Sequence, residues 1–237
     1  MANPKIVIDK DPAKAAADQV NEWLARYTES PVLFLIAGGS SRAVLDYVDE
    51  GFMGPDTTIT VTDDRYSKEL DENNFALLQS TSFYNKVVGQ DVYCINTEVW
   101  GDETQEDVRA KFEKNIREWR QEFPKGKIIA IYGIGEDGHT AGVLPGAYSV
   151  EDFKKLFEGE NLVASVDAKG INPHPLRITT TFTFMRDWVD HAVFYVEGKG
   201  KQKALTDALN KGAKEEIPAR ILQEMKDVVV VTNIDVK

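Results

Sequence analysis

The 237-residue chain has a single cysteine, three histidines and fewer cationic than anionic side chains. With Cys94 alone there is neither an intrachain disulfide nor a cysteine-rich zinc site, which suits a reducing compartment. The longest apolar runs, VLFLIA and VVVV, fall far short of the roughly 20 residues that cross a bilayer. The first twenty residues lack the apolar core of a signal peptide, so the expectation is a cytoplasmic protein with no membrane partner. Lys and Arg number 28 against 39 Asp and Glu, a net charge of −11, which argues against a nucleic-acid surface. Any anionic ligand must then be held by locally placed cations or backbone amides. Repeats, low-complexity tracts and Pro/Gly/Ser linkers are also missing, so residues 1–237 read as one domain.

What is present alternates between strand and helix. KIVID reads as a strand, and Ala16, Val20, Trp23, Leu24 and Tyr27 give residues 12–27 one apolar helical face. VLFLIA runs as a strand into glycines, with a helix expected over 41–48. TTITVTDD predicts a strand over 57–64, followed by a helix over 74–86 and a strand at VYCIN. Thr104 and Asp107 form a capping-box pattern ahead of a long helix bearing Val108, Phe112, Ile116 and Trp119 on one face. KIIAIYGIG is apolar almost throughout, as a strand covered on both faces must be. Further strands are expected at 161–168, 177–184, 191–197 and 227–234, with helices over 201–211 and 219–225. The whole predicts a Rossmann-like α/β fold, an open, mostly parallel twisted sheet with helices on both faces. In such sheets ligands gather at the carboxyl ends of strands, where four motifs fall.

Gly38-Gly39-Ser40-Ser41-Arg42 follows VLFLIA. Its glycines, hydroxyls and helix-start amides suit a phosphate, and it equally suits a tight turn capped by Ser40. Asp63-Asp64-Arg65 follows ITVT. Without a third ligand at suggestive spacing it reads as a solvated strand end with an internal ion pair, not a metal site. Gly133-Ile134-Gly135-Glu136-Asp137-Gly138 spells a dinucleotide fingerprint, but Glu136 and Asp137 would repel a pyrophosphate. The acidic ribose partner expected about 20 residues on would fall near 157–158, where no second strand ends. What remains is Asp137-Gly138-His139, a carboxylate able to fix an imidazole's tautomer and raise its basicity, beside the bland reading of a structural histidine. Gly198-Lys199-Gly200-Lys201 places cations where a helix begins, a local misfit that favours an anionic ligand. Arg177, entering RITTTFTF, could add a cation. His174, between two prolines, reads as a turn residue, and His191 as a surface or packing residue.

Together these motifs resemble the 6-phosphogluconolactonase/glucosamine-6-phosphate isomerase family. The resemblance rests on G-x-G-x-D-G-H-T-A-x-x-x-P-G at 133–146, with GGSS, the DDR strand end with NNF downstream, PLRIT and G-x-x-K in the family's order. It implies a phosphorylated sugar lactone as partner, no metal or nucleotide cofactor, and His139 as catalytic base. By motif match it also implies Gly39, Ser40, Ser41, Asp63, Arg65, Arg177 and Lys201 as substrate contacts, with Asp137 orienting His139. Where deaminases of the family carry a glutamate before the loop proline, this chain has Leu144. Arg65 stands where they carry tyrosine. Both differences favour hydrolysis of 6-phospho-D-glucono-1,5-lactone over the alternative, deamination of glucosamine 6-phosphate. A non-catalytic sugar-phosphate sensor is the second alternative. Gly142 departs from a serine common in the lactonase loops, and the segment 66–74 is short and lacks their V-P step. The expected assembly is a monomer or small homo-oligomer.

Overall fold

Seven strands lie side by side, all parallel, in the computed structural model of the protein, which describes residues 4–168 and 170–236. In chain order the elements are β1 (Lys5–Ile8), α1 (Pro12–Arg26), β2 (Val32–Ile36), β3 (Thr57–Val61), β4 (Asp63–Arg65), α2 (Asn74–Gln79), α3 (Ser82–Val88), β5 (Tyr93–Cys94), α4 (Gln105–Glu122) and β6 (Lys127–Gly133). They continue with α5 (Val150–Phe157), β7 (Val163–Asp167), β8 (Leu176–Thr180), α6 (Phe182–Asp187), β9 (His191–Val196), α7 (Gln202–Leu209) and β10 (Val228–Thr232). The parallel sheet runs β1-β10-β9-β6-β2-β3-β5, and a second, antiparallel sheet runs β4-β8-β7.

Strand alternation divides the apolar side chains of the main sheet between two layers. Leu33, Leu35, Ile128, Ala130, Tyr132 and Phe194 face one, with Phe112, Ile116 and Trp119 of α4 packed on it. Phe34, Ile36, Ile129, Ile131 and Val193 face the other, beneath Ala16, Val20, Trp23 and Leu24 of α1. Every residue of β2, β3 and β10 is buried, which is why these segments read as continuous apolar or β-branched runs. Burying each large aliphatic or aromatic side chain contributes about 1.5–3 kcal/mol, so the two layers dominate stabilisation.

The order of the strands also places the site. From β2 the chain steps outward to β3 and β5, then returns to the opposite flank of β2 as β6 before adding β9 and β10. Chain segments leaving β2 and β6 therefore diverge, and a crevice opens at their carboxyl ends.

Several local expectations are corrected. The strand expected over 57–64 is not one strand: at Thr62, whose amide donates to the Ile36 carbonyl, the chain leaves the main sheet, and β4 pairs antiparallel with β8. The strand expected over 177–184 ends at Thr180, because the Thr181 hydroxyl accepts from the Phe184 amide and caps α6. Thr181, Phe182 and Phe184 thus imitate alternation while starting a helix. Residues 74–86 form two helices, the second capped by Thr81. The helices expected over 41–48 and 219–225 are 3-10 helices, Gly39–Asp46 and Pro218–Gln223. Helix α5 was not expected, although Ser149 accepts from the Asp152 amide as Thr104 does from Asp107 at α4. Among the described residues no helix is long and apolar enough to cross a membrane.

Candidate active site

The crevice is a cleft of about 430 Å³ lined by segments from all four motifs. Its floor begins at the end of β2, where Gly38 is extended and Gly39 takes a φ of +62°, opening the 3-10 helix of residues 39–46 without a side-chain cap. Ser40 is therefore not an N-cap. Its Oγ instead accepts a hydrogen bond from Lys201 Nζ at 3.1 Å, joining the first motif to the fourth across the cleft. Burial holds the Lys201 ammonium below its ordinary value, partly opposed by the nearby carboxylates of Glu136 and Glu197. Ser41 is buried against the end of β6, where a Cβ on Gly133 would stand 2.7 Å from its Oγ.

The turn after β6 is tied down by its own hydrogen bonds. The Gly135 amide donates to the His139 carbonyl at 2.9 Å, the Gly138 amide to Gly135 at 3.0 Å, and Thr140 Oγ1 to Gly133 at 2.9 Å. Gly138 has a φ of +87°, open to glycine without strain. A side chain at Gly135 would overlap the His139 ring, so the imidazole lies directly across this glycine. His139 Nδ1 stands 2.6 Å from Asp137 Oδ1, and the His139 amide donates to the same oxygen at 3.1 Å. A carboxylate accepts only, so in the neutral imidazole the proton sits on Nδ1 and Nε2 keeps the lone pair a base needs. Burial raises the Asp137 carboxyl, but the hydrogen bonds and charge of His139 together outweigh it and hold the group below its ordinary value.

Opposite stands the antiparallel pair β4–β8. Residues two apart on a strand share a face, so Asp63 and Arg65 both line the cleft. Neither Asp63 nor Asp64 is solvated, and Arg65 is not the partner of either in an ion pair; these expectations are corrected. Asp63 pairs instead with Arg177 Nη1 at 3.3 Å, both side chains buried. Arg177 Nε donates to the His174 carbonyl and Nη2 to Asn172 Oδ1, each at 3.2 Å. Its guanidinium is thus braced on three sides. Arg65 lies directly across the strand pair from Arg177, a like-charge juxtaposition that an anion would relieve. Burial first, and Arg177 second, lower the Arg65 guanidinium, whose Nη1 donates to the Glu72 carbonyl at 3.3 Å. Arg65 Nε is buried with no acceptor among the described residues.

The structure brings all nine expected residues to this region: eight line the cleft, and Asp137 stands behind His139. Sequence reasoning missed Asn74, Asn172 and His174, which also line it. His174 is a turn residue that nevertheless lines the cleft, its Nδ1 3.8 Å from Glu72 Oε2; the flanking prolines signalled the turn, and nothing local signalled its place at the cleft. Leu144 is fully buried in the core. Gly142 packs against β8, its amide donating to Thr179 Oγ1 at 2.9 Å, and a Cβ there would stand 2.8 Å from Thr179 Cβ. A serine at this position has no room.

Residues 9–231 match the family model described as glucosamine-6-phosphate isomerases/6-phosphogluconolactonase. A 6-phosphogluconolactonase of Rhizobium meliloti (strain 1021) is 30% identical over 94 residues, 40% of this chain and 39% of the relative. The human 6-phosphogluconolactonase is 29% identical over 136 residues, 56% of this chain and 47% of the relative. In these alignments the chain spans less than half the length of either curated relative. The crystal structure of a 6-phosphogluconolactonase from Shewanella baltica OS155 has the same fold, with a TM-score of 0.75 at 17% identity over 98% of this chain and 97% of that one. With the family model spanning nearly all of its length, the chain belongs to the glucosamine-6-phosphate isomerase/6-phosphogluconolactonase family.

Proposed function

We propose that the protein hydrolyses 6-phospho-D-glucono-1,5-lactone to 6-phosphogluconate. The observation that carries this reading is the Asp137–His139 hydrogen bond at one wall of a cleft whose other side holds the Lys201–Ser40 contact. A base and an anion cradle thus share one cavity. The substrate phosphate rests on the amides and hydroxyls at Gly39, Ser40 and Ser41 and on Lys201, which directs the lactone carbonyl toward His139.

His139 Nε2 takes a proton from water as the water oxygen bonds to C1, and the carbonyl pair moves onto oxygen. Asp137 holds the tautomer and the imidazolium that forms. The tetrahedral oxyanion then collapses, the C1–ring-oxygen bond breaks, and the imidazolium returns its proton to the departing oxygen. One water is consumed and His139 ends neutral, having served first as base and then as acid. Arg65, with its unengaged Nε, is the donor assigned to the oxyanion, an interaction of the kind worth ~3–4 kcal/mol in the transition state. Arg177 serves by holding Asp63 and the 172–174 turn in place. Leu144, buried and apolar, offers no proton relay for the deaminase reaction.

The test is a coupled assay on freshly made lactone, corrected for spontaneous hydrolysis, with ammonia release from glucosamine 6-phosphate followed in parallel. Enzymatic lactone loss without ammonia is expected. Ammonia without lactone loss would transfer the chain to the deaminases, and sugar-phosphate binding with neither reaction would make it a sensor.

A further inference from the structure

One cleft residue has an acceptor with nothing to accept from. The Asn74 side chain is almost wholly buried, lines the cleft, and donates through Nδ2 to the Asp63 carbonyl at 3.0 Å. That bond fixes the amide's orientation, since the reverse would face oxygen with oxygen. Oδ1 then points away from Asp63 and has no donor among the described residues. A buried acceptor left unpaired is costly, and native sites keep one where a ligand completes it. The amide is also crowded into place: a Cβ on Gly38 would overlap Asn74 Oδ1 and Cγ, so this glycine, two residues beyond β2, leaves the carbonyl room beside the phosphate cradle.

The backbone beneath Asn74 is held with equal care. Asp64, on the face of β4 turned away from the cleft, has no exposed surface. Its Oδ1 accepts from the Arg65 amide at 2.7 Å and the Asn74 amide at 2.6 Å. Its Oδ2 accepts from the Phe75 amide at 3.2 Å and Thr97 Oγ1 at 2.5 Å. Four donors fill the carboxylate's acceptor sites and lock residue 74 to residue 65. Such rigidity is what a recognition group requires.

The geometry points to Asn74 as a substrate-recognition residue whose Oδ1 accepts a hydrogen bond from a ring hydroxyl of the bound sugar phosphate, with Asp64 as its positioning residue. This assignment rests on the sugar-phosphate reading of the cleft. It predicts that specificity for a hydroxylated ring, and not affinity for the phosphate, depends on Asn74.

The experiment compares 6-phosphogluconolactone with its 2-, 3- and 4-deoxy counterparts on the wild-type protein and on Asn74→Ala. One deoxygenation should lower the wild-type kcat/KM by about tenfold or more, as expected when a buried polar group loses its partner. That discrimination should shrink to less than about threefold in Asn74→Ala, while inorganic phosphate binds both proteins alike. Equal kcat/KM for all four lactones on the wild type would overturn the assignment even if the variant fails to fold, as would discrimination preserved in a folded variant. Calorimetric binding of 6-phosphogluconate and its monodeoxy forms reads the same contact separately from turnover. A wild-type protein that binds them with hydroxyl discrimination but does not hydrolyse the lactone would refute the lactonase reading and leave the Asn74 contact standing.

Discussion

At the scale of single residues, the cleft assigns a separate duty to each ionisable group, and the duties can be separated by kinetics. His139→Ala should lower kcat by at least ~100-fold, the contribution of a positioned general base, while inorganic phosphate still binds. Lactone turnover near the wild-type rate would remove His139 from the chemistry. Lys201→Ala should act chiefly on KM, raising it by roughly 10- to 100-fold for the loss of one charged hydrogen bond. The pH dependence carries a sign. Burial favours the neutral amine, so the free protein loses the Lys201 charge at a lower pH than an exposed lysine would. The alkaline fall of kcat/KM should accordingly begin below the ordinary lysine value of 10.5 and be absent from Lys201→Ala. A profile flat to that value would separate Lys201 from the phosphate.

Within single elements, turns and caps carry geometry that composition alone does not express. Gly135→Ala would push a methyl group into the space of the His139 ring. It should cost most of kcat and leave phosphate affinity near wild type; equal kcat would mean that the turn does not set the ring's position. The capping box of α4 is fully formed, with Thr104 Oγ1 accepting from the Asp107 amide at 3.2 Å and Asp107 Oδ2 accepting from the Thr104 amide at 2.9 Å. Thr104→Ala should lower stability by about 1 kcal/mol in urea titration without altering kcat. Buried strands and the α4 capping box were the most legible features of the sequence, because both depend on neighbours in the chain. The ends of β3 and β8 were not. Thr62 and Thr181 are β-branched residues that suit a strand; a partner distant in sequence, the Ile36 carbonyl, holds Thr62 where β3 ends, and at Thr181 the capping hydroxyl competes with the alternation of the segment.

For the whole molecule, the site exists only when segments near residues 39, 63, 137, 177 and 201 come together. Unfolding disperses them, so a ligand of the cleft binds the native state alone. Saturation with 6-phosphogluconate at 100 times its Kd should add about 2.7 kcal/mol of stability. For a domain of this size that corresponds to a rise in Tm of roughly 5–10 °C. No shift would show that the product does not occupy the folded cleft. The same assembly explains how a chain of net charge −11 can hold an anion: Arg65, Arg177 and Lys201 are gathered from three strand ends into one cavity.

From local order alone the chain announces a parallel sheet clothed on both faces, glycine turns at its strand ends, and a histidine preceded at two residues by a carboxylate. Each of these depends on near neighbours or on the periodicity of a single element. The pairing of Asp63 with Arg177, the burial of Asp64, the place of His174 at the cleft and the unpaired carbonyl of Asn74 were settled only by the fold. They are contacts between residues far apart in the chain or directions taken by loops. Such features are set when β4 leaves the main sheet and meets β8, and no window of sequence contains both strands.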